Sequence, residues 1–303
     1  RQALWSFRLP TVWWLGLFQA RYLIRQPVVY LGSGLALLSF ILVGQRVLQG
    51  SSLTFQVDAH LLLAAPAALY SQVILLLTFL ISGMLVHRDR RSRMHELTQL
   101  STLTDWKPLV ARMGALCLVQ AVLLAMLVGT IAGWQILSGE RTPDIPRLCT
   151  YAYGVIWSWL IVWSIAALAV HQLAGHLYTG LLVLLLGWAG VSLLPELGLD
   201  PIIFLFPGGN QLALSRFQSL PGQLLPYLYV KGYWLCLSMF CLLIANLLRT
   251  RGAGRELSER WAFAKNRLRP LMIFLLIAFA TLSLVWGYAI HHQEKAGYHP
   301  PDQ

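Results

Sequence analysis

Charge is what this chain has least of. Only 12% of its 303 residues are Asp, Glu, Lys or Arg, about half the roughly 25% of a soluble domain. With 57% hydrophobic residues and a mean hydropathy of +0.62, an ordinary soluble globule and a disordered tail are both excluded. Acids are scarcer than bases. There are 12 Asp plus Glu against 23 Lys plus Arg, for a net charge of +11 and a pI near 9.9. In a soluble chain that balance would suggest nucleic acid. Here the bases gather in the loops between apolar runs, as the positive-inside rule expects, so no nucleic-acid partner is read. Cysteine is limited to Cys117, Cys149, Cys236 and Cys241, none in a CxxC pair. They read as small packing residues, with no disulfide and no metal.

The motifs of common chemistry are missing as well. A phosphate loop needs Gly-Lys followed by a hydroxyl residue. No Gly-Lys pair occurs, and Gly252-Ala253-Gly254 lacks both the lysine and the hydroxyl. In His95-Glu96-Leu97-Thr98-Gln99, Gln99 stands where a zinc peptidase helix has its second histidine. Gly32-Ser33-Gly34 lacks the spacing of a nucleophile elbow. The acids Asp58, Asp89, Glu96, Asp105, Glu140, Asp144, Glu196 and Asp200 lie at or beyond the ends of the apolar runs. Proton relays keep acids near the midplane, so an ion-coupled pump is disfavoured. His291, His292 and His299 read as a solvated tail, and His171 and His176 as interfacial turn residues. Lys231 reads as a snorkelling lysine, with a substrate contact left open. No catalytic residue, cofactor or metal ligand is assigned.

What is present is a series of apolar runs, about 28–48, 61–86, 108–137, 148–172, 177–195, 223–248 and 270–290. Each is close to or longer than the roughly 20 residues that cross a bilayer core of about 30 Å. The expected fold is therefore all-α, a polytopic helical membrane protein. The chain begins at Arg1 rather than Met, so its true N-terminus is expected upstream, and its opening lacks the order of a secretory signal. Ahead of the first run, Trp13, Trp14, Leu17, Phe18, Tyr22 and Leu23 recur at helical spacing beside Arg21 and Arg25. Such an aromatic, basic and amphipathic segment is suited to lying in the membrane interface. Pro27 ends it.

With the N-terminus in the cytoplasm, 17 of the 23 basic residues fall on the cytoplasmic side and 6 on the other. That asymmetry places the N-terminus inside and, after seven spans, the C-terminus outside. The outer loops are then 49–60, 138–147 and 196–222. Pro201, Pro207, Gly208, Gly209, Pro221 and Gly222 mark the last as a re-entrant or surface loop.

The loop at 87–107 is the informative one. Arg88, Arg90, Arg91 and Arg93 open it, and Met94, Leu97, Leu100 and Leu103 form a helical stripe around Glu96. Asp105 can cap the next span, with Pro108 tolerated in its first turn. A short amphipathic helix is thus expected between two long spans. It reads either as a charged anchor or as a helix that fills the groove of a cytoplasmic partner.

In order, these features resemble the type-two ABC exporter permease family. Arg88, Asp89, Arg90, Glu96, Leu97, Trp106, Arg112 and Gly114 stand where that family's cytoplasmic loop has its basic-acidic run, glutamate, aromatic and following basic residue. Ala20 to Pro27 resembles its interfacial elbow. Leu199-Asp200-Pro201, Leu220-Pro221-Gly222 and a last span ending in Arg249 resemble the subgroup associated with a zinc aminopeptidase. The resemblance covers about 15–250. It implies an elbow at 1–27 and a six-span permease domain at 28–248 with a coupling loop at 87–107; beyond these, the apolar runs and the basic count themselves place a basic loop at 249–269, a seventh span at 270–290 and an extracytoplasmic tail at 291–303. It also implies residence in a bacterial inner membrane, pairing with a second permease half, and a separate cytoplasmic ATPase that binds the ATP. Arg88, Arg90, Arg91, Met94, Glu96, Leu97, Leu100 and Leu103 would couple to that ATPase. Trp13, Trp14, Arg21, Tyr22 and Arg25 would form the elbow. The seventh span departs from the family pattern, and no peptidase motif accompanies it. The aromatic-rich first and fifth spans, with Trp188 in the fifth, are candidate pairing faces. The rival readings are a membrane-embedded enzyme acting on lipid, and an anchor or assembly subunit of an extracytoplasmic complex.

Overall fold

The computed structural model describes residues 9–50, 59–91, 106–137, 145–193, 220–248, 264–265, 268 and 270–295. Every regular element among them is a helix. In chain order these are α1 (Leu9–Ile24), α2 (Pro27–Gly50), α3 (Ala59–Arg91), α4 (Trp106–Leu137), α5 (Ile145–Leu173), α6 (Leu177–Leu193), α7 (Leu220–Leu247) and α8 (Pro270–Lys295). A helix satisfies its backbone groups internally, as a hydrocarbon solvent demands. Six of them, α2, α3, α4, α5, α7 and α8, are long and apolar enough to cross a membrane. The fifth apolar run yields α6, a 17-residue helix. That is short of the roughly 20 residues of a perpendicular span.

Local chemistry sets the helix ends. Pro27 occupies the first position of α2, where its missing N–H costs nothing. The break before it closes with the Gln26 amide donating to the Leu23 carbonyl at 2.9 Å. Pro66 lies inside α3. In α5, a π-helical stretch, Thr150–Ile156, separates Ile145–Cys149 from Trp157–Leu173.

The chain divides into two compact units, Arg1–Leu160 and Ile161–Gln303, the boundary falling within α5. In the first, α2 packs on α3, α3 on α4, and α1 on α4, while the N-terminal part of α5 leans on α4. Its core includes Leu23, Phe40, Tyr70, Ile74, Leu75, Phe79, Leu116 and Leu124. In the second, α7 packs on α8. There Trp286 meets Tyr229 edge-on at 5.1 Å between ring centroids, and Gly232 lets the Trp286 ring approach the α7 backbone.

Candidate functional site

Some of the residues singled out from the sequence meet where α1 packs against the ends of α3 and α4 that flank the loop at 87–107. On α1, Gln19, Ala20 and Leu23 are buried. Gly16 lies so near Ala111 of α4 that a Cβ there would sit 3.5 Å from its carbonyl oxygen. Trp13, Trp14 and Phe18 are exposed, as are Arg21 and Arg25, while Tyr22 is half-buried. The expected helix is therefore present, but its aromatic set is split. Leu23 turns inward with Ala20, because the helix rests on α4 along the Gly16–Ala20–Leu23 stripe. Arg25 falls in the turn just past the helix.

Arg88, in the last turn of α3, reaches back to this helix. Its guanidinium carbon lies 4.8 Å from the Tyr22 ring centroid and 5.5 Å from that of Phe18. A cation within about 6 Å of a ring face is attracted by the ring quadrupole, worth roughly 0.5–1 kcal/mol where exposed. Tyr22 and Arg88, assigned above to an elbow and to a coupling loop, thus belong to one cluster. His87 and Arg112 are buried beside the two ends of the loop in sequence. Met94, Glu96, Leu97, Leu100 and Leu103 lie outside the described residues, as do Asp105 and His299, and so do the side chains of Arg90 and Arg91.

Above this base, hydrogen bonds tie α4 to its neighbours. The Gln120 amide donates to the Thr78 hydroxyl of α3 at 3.1 Å, and Thr78 donates to its own helix at the Ile74 carbonyl. Tyr70 of α3 donates to the Leu123 carbonyl at 2.6 Å, and Tyr153 of α5 to the Ala121 carbonyl at 3.0 Å. Gln120 and Thr78 are buried. None of these was singled out from the sequence. The available signal was a lone Gln, Tyr or Thr inside an apolar run, since intramembrane polar groups seek partners.

The second unit corrects one reading. His171 is not an interfacial turn residue but is fully buried in the last turn of α5, whereas His176 is exposed. A Cβ at Gly180 of α6 would collide with the His171 Nδ1 and lie 2.8 Å from its Cε1, so glycine there admits the ring. Lys231 is half-buried in α7. Cys117, Cys149, Cys236 and Cys241 are free thiols. Among the described residues, no group of three or more His, Cys, Asp or Glu could hold a metal ion.

The helices define the class: this is a multi-pass membrane protein whose regular elements, among the described residues, are all helices. No family model matches the chain, and neither a curated protein nor a solved structure matches it.

Proposed function

We propose that this chain is the permease subunit of an exporter-type ABC transporter, driven by a separate cytoplasmic ATPase that docks on the loop at 87–107. In this reading the N-terminus is cytoplasmic, α1 lies in the membrane interface, and a second permease half completes the pathway. The observation that carries it is the bracing of the loop's base. The loop joins α3 to α4, those helices are hydrogen-bonded to each other through Gln120 and Thr78, and α1 grips both, at Arg88 and at Ala111. A hydrolysing partner has to move spans through an element that resists bending. A loop held on two bonded helices transmits a push to both at once.

Glu96 is the discriminating residue, an acid in an arginine-rich loop. An exposed ion pair contributes only about 0–1 kcal/mol, but an unpaired charge buried at an interface costs several times more. Glu96→Arg is expected to abolish ATPase co-purification and substrate-stimulated hydrolysis while the permease still inserts, and Glu96→Gln to do much less. Unchanged co-purification and hydrolysis in Glu96→Arg would make the loop a plain anchor and end this reading.

A further inference from the structure

Within an apolar span, residues Thr150–Ile156 of α5 are wound as a π-helix. The Trp157 amide closes the last turn on the Ala152 carbonyl, five residues back rather than four. The stretch therefore stores one residue more than a regular helix uses. Tyr153, at its middle, donates to the Ala121 carbonyl of α4 at 3.0 Å. Its ring meets that of Trp157 edge-on, at 5.7 Å between centroids. Ala121 lies in a turn of α4 that α3 braces at Gln120 and at Leu123. The stretch is thus fastened by one side chain to a braced neighbour. Its outer side is open: Gly154 is exposed, and a Cβ there would find nothing within 4 Å. The Trp157 indole N–H is enclosed without a hydrogen-bond partner, and an unpaired donor disfavours this placement of the ring.

From these features we propose that the π stretch is a movable joint, latched at Thr150–Ile156 by the Tyr153–Ala121 hydrogen bond. A π turn moves when one amide returns to the fourth residue back and an amide further on takes the fifth. Each step breaks one backbone hydrogen bond and makes another, so their number is kept. Each residue passed turns by about 100° around the helix axis. Toward the N-terminus only Ile145–Cys149 remains of α5, so travel runs toward Trp157–Leu173. Tyr153 is among the first residues passed. Its hydroxyl leaves Ala121 once it has turned, so the latch and the travelled state exclude each other. Trp157 follows and is freed from its enclosure. The boundary of the first compact unit, Leu160, lies four residues past the stretch, so the joint sits where α5 leaves that unit. It rests on the proposed function only for its drive: a push on the loop at 87–107 that displaces α4 would draw Ala121 away from Tyr153.

Hydrogen–deuterium exchange of the full chain in detergent, followed at the amides of 153–160, tests the joint, since exchange reads local opening. Tyr153→Phe removes the latch and keeps the ring. It should speed exchange there by about threefold to tenfold, the net contribution of one hydrogen bond. Tyr70→Phe removes a matching bond to α4, at Leu123, from the regular helix α3, and should leave 153–160 unchanged. Deleting Gly154 removes the stored residue. It should slow these amides in the wild-type background and cancel the effect of Tyr153→Phe. No acceleration in Tyr153→Phe overturns the latch. Equal acceleration in Tyr70→Phe overturns it as well, because general loosening around α4 then accounts for both. Fast exchange that persists in Tyr153→Phe lacking Gly154 is local fraying in place of travel, and overturns the joint. Glu96→Arg is read on ATPase co-purification and these variants on exchange, so failure of either proposal leaves the other standing.

Discussion

Two helices of this protein are nearly twins on paper and opposites in space. The spanning stretches of α3 (Pro66–Arg88) and α8 (Pro270–His292) are each 23 residues long and comparably apolar, yet most of the first is buried, and of the second only Ser283 and Ile290. Hydroxyls on both helices donate to their own backbone, as Ser71, Thr78 and Ser82 do on α3, but only α3 is shown also bonding across to a neighbour. On α3, Tyr70 donates to α4 and Thr78 accepts from it. On α8, Thr281 and Ser283 donate to carbonyls of their own helix, at Ile277 and Ala280. Hydropathy says which segments enter a bilayer. Polar groups bonded across helices say which of those segments face protein, because lipid offers them no partner.

Exchanging equivalent side chains between the two helices should give the largest effect. Phe79 is fully buried and Phe274 is 66% exposed. Phe79→Ala leaves a cavity and should cost about 3–5 kcal/mol, whereas Phe274→Ala should change thermal unfolding in detergent by less than a tenth of that. Similar losses at both sites would mean that α8 has a protein neighbour covering Phe274.

Glycines sharpen the contrast at intermediate size. A Cβ at Gly232 would meet the Trp286 ring at 3.2 Å, while one at Gly16 would make an ordinary contact with Ala111 at 3.5 Å. Gly232→Leu should therefore cost about 1–3 kcal/mol through overpacking and disturb the α7–α8 pair. Gly16→Ala should be neutral or slightly stabilising, since alanine is the better helix former. Thermal unfolding of the two variants in detergent distinguishes them.

The smallest effect comes from the polar link itself. A double-mutant cycle on Thr78→Val and Gln120→Leu should return a coupling of about 0.6 kcal/mol, the average for hydrogen bonds inside helical membrane proteins. A coupling near zero would show that shape rather than hydrogen bonding joins α3 to α4.

Element positions were legible because length and apolarity suffice for them. The runs at 28–48, 108–137 and 270–290 became α2, α4 and α8, with ends displaced by a few residues. Faces were not legible. A helix that is apolar all round carries no periodic signal for its inward side, so nothing in the local pattern separated buried Phe40 from exposed Leu42. His171 was misread for the same reason. Its burial depends on Gly180, nine residues on in the next helix. The cluster at the loop base was half legible. Arg88 and Tyr22 were each singled out, but their contact joins positions 66 residues apart that only the packing of α1 brings together.

The π-helical stretch at Thr150–Ile156 bears on how this chain tolerates changes in length. A π turn closes on the fifth residue ahead instead of the fourth, and so absorbs one extra residue without disturbing the helix on either side. Deleting a single residue there, Gly154 for instance, would let α5 revert to plain α-helix with both flanks keeping their faces. The same deletion at Ile165, in regular helix, would swing everything beyond it through about 100° and turn buried His171 off its face. Within one membrane helix, a seven-residue stretch is thus forgiving of a frame-preserving deletion that its neighbours cannot survive.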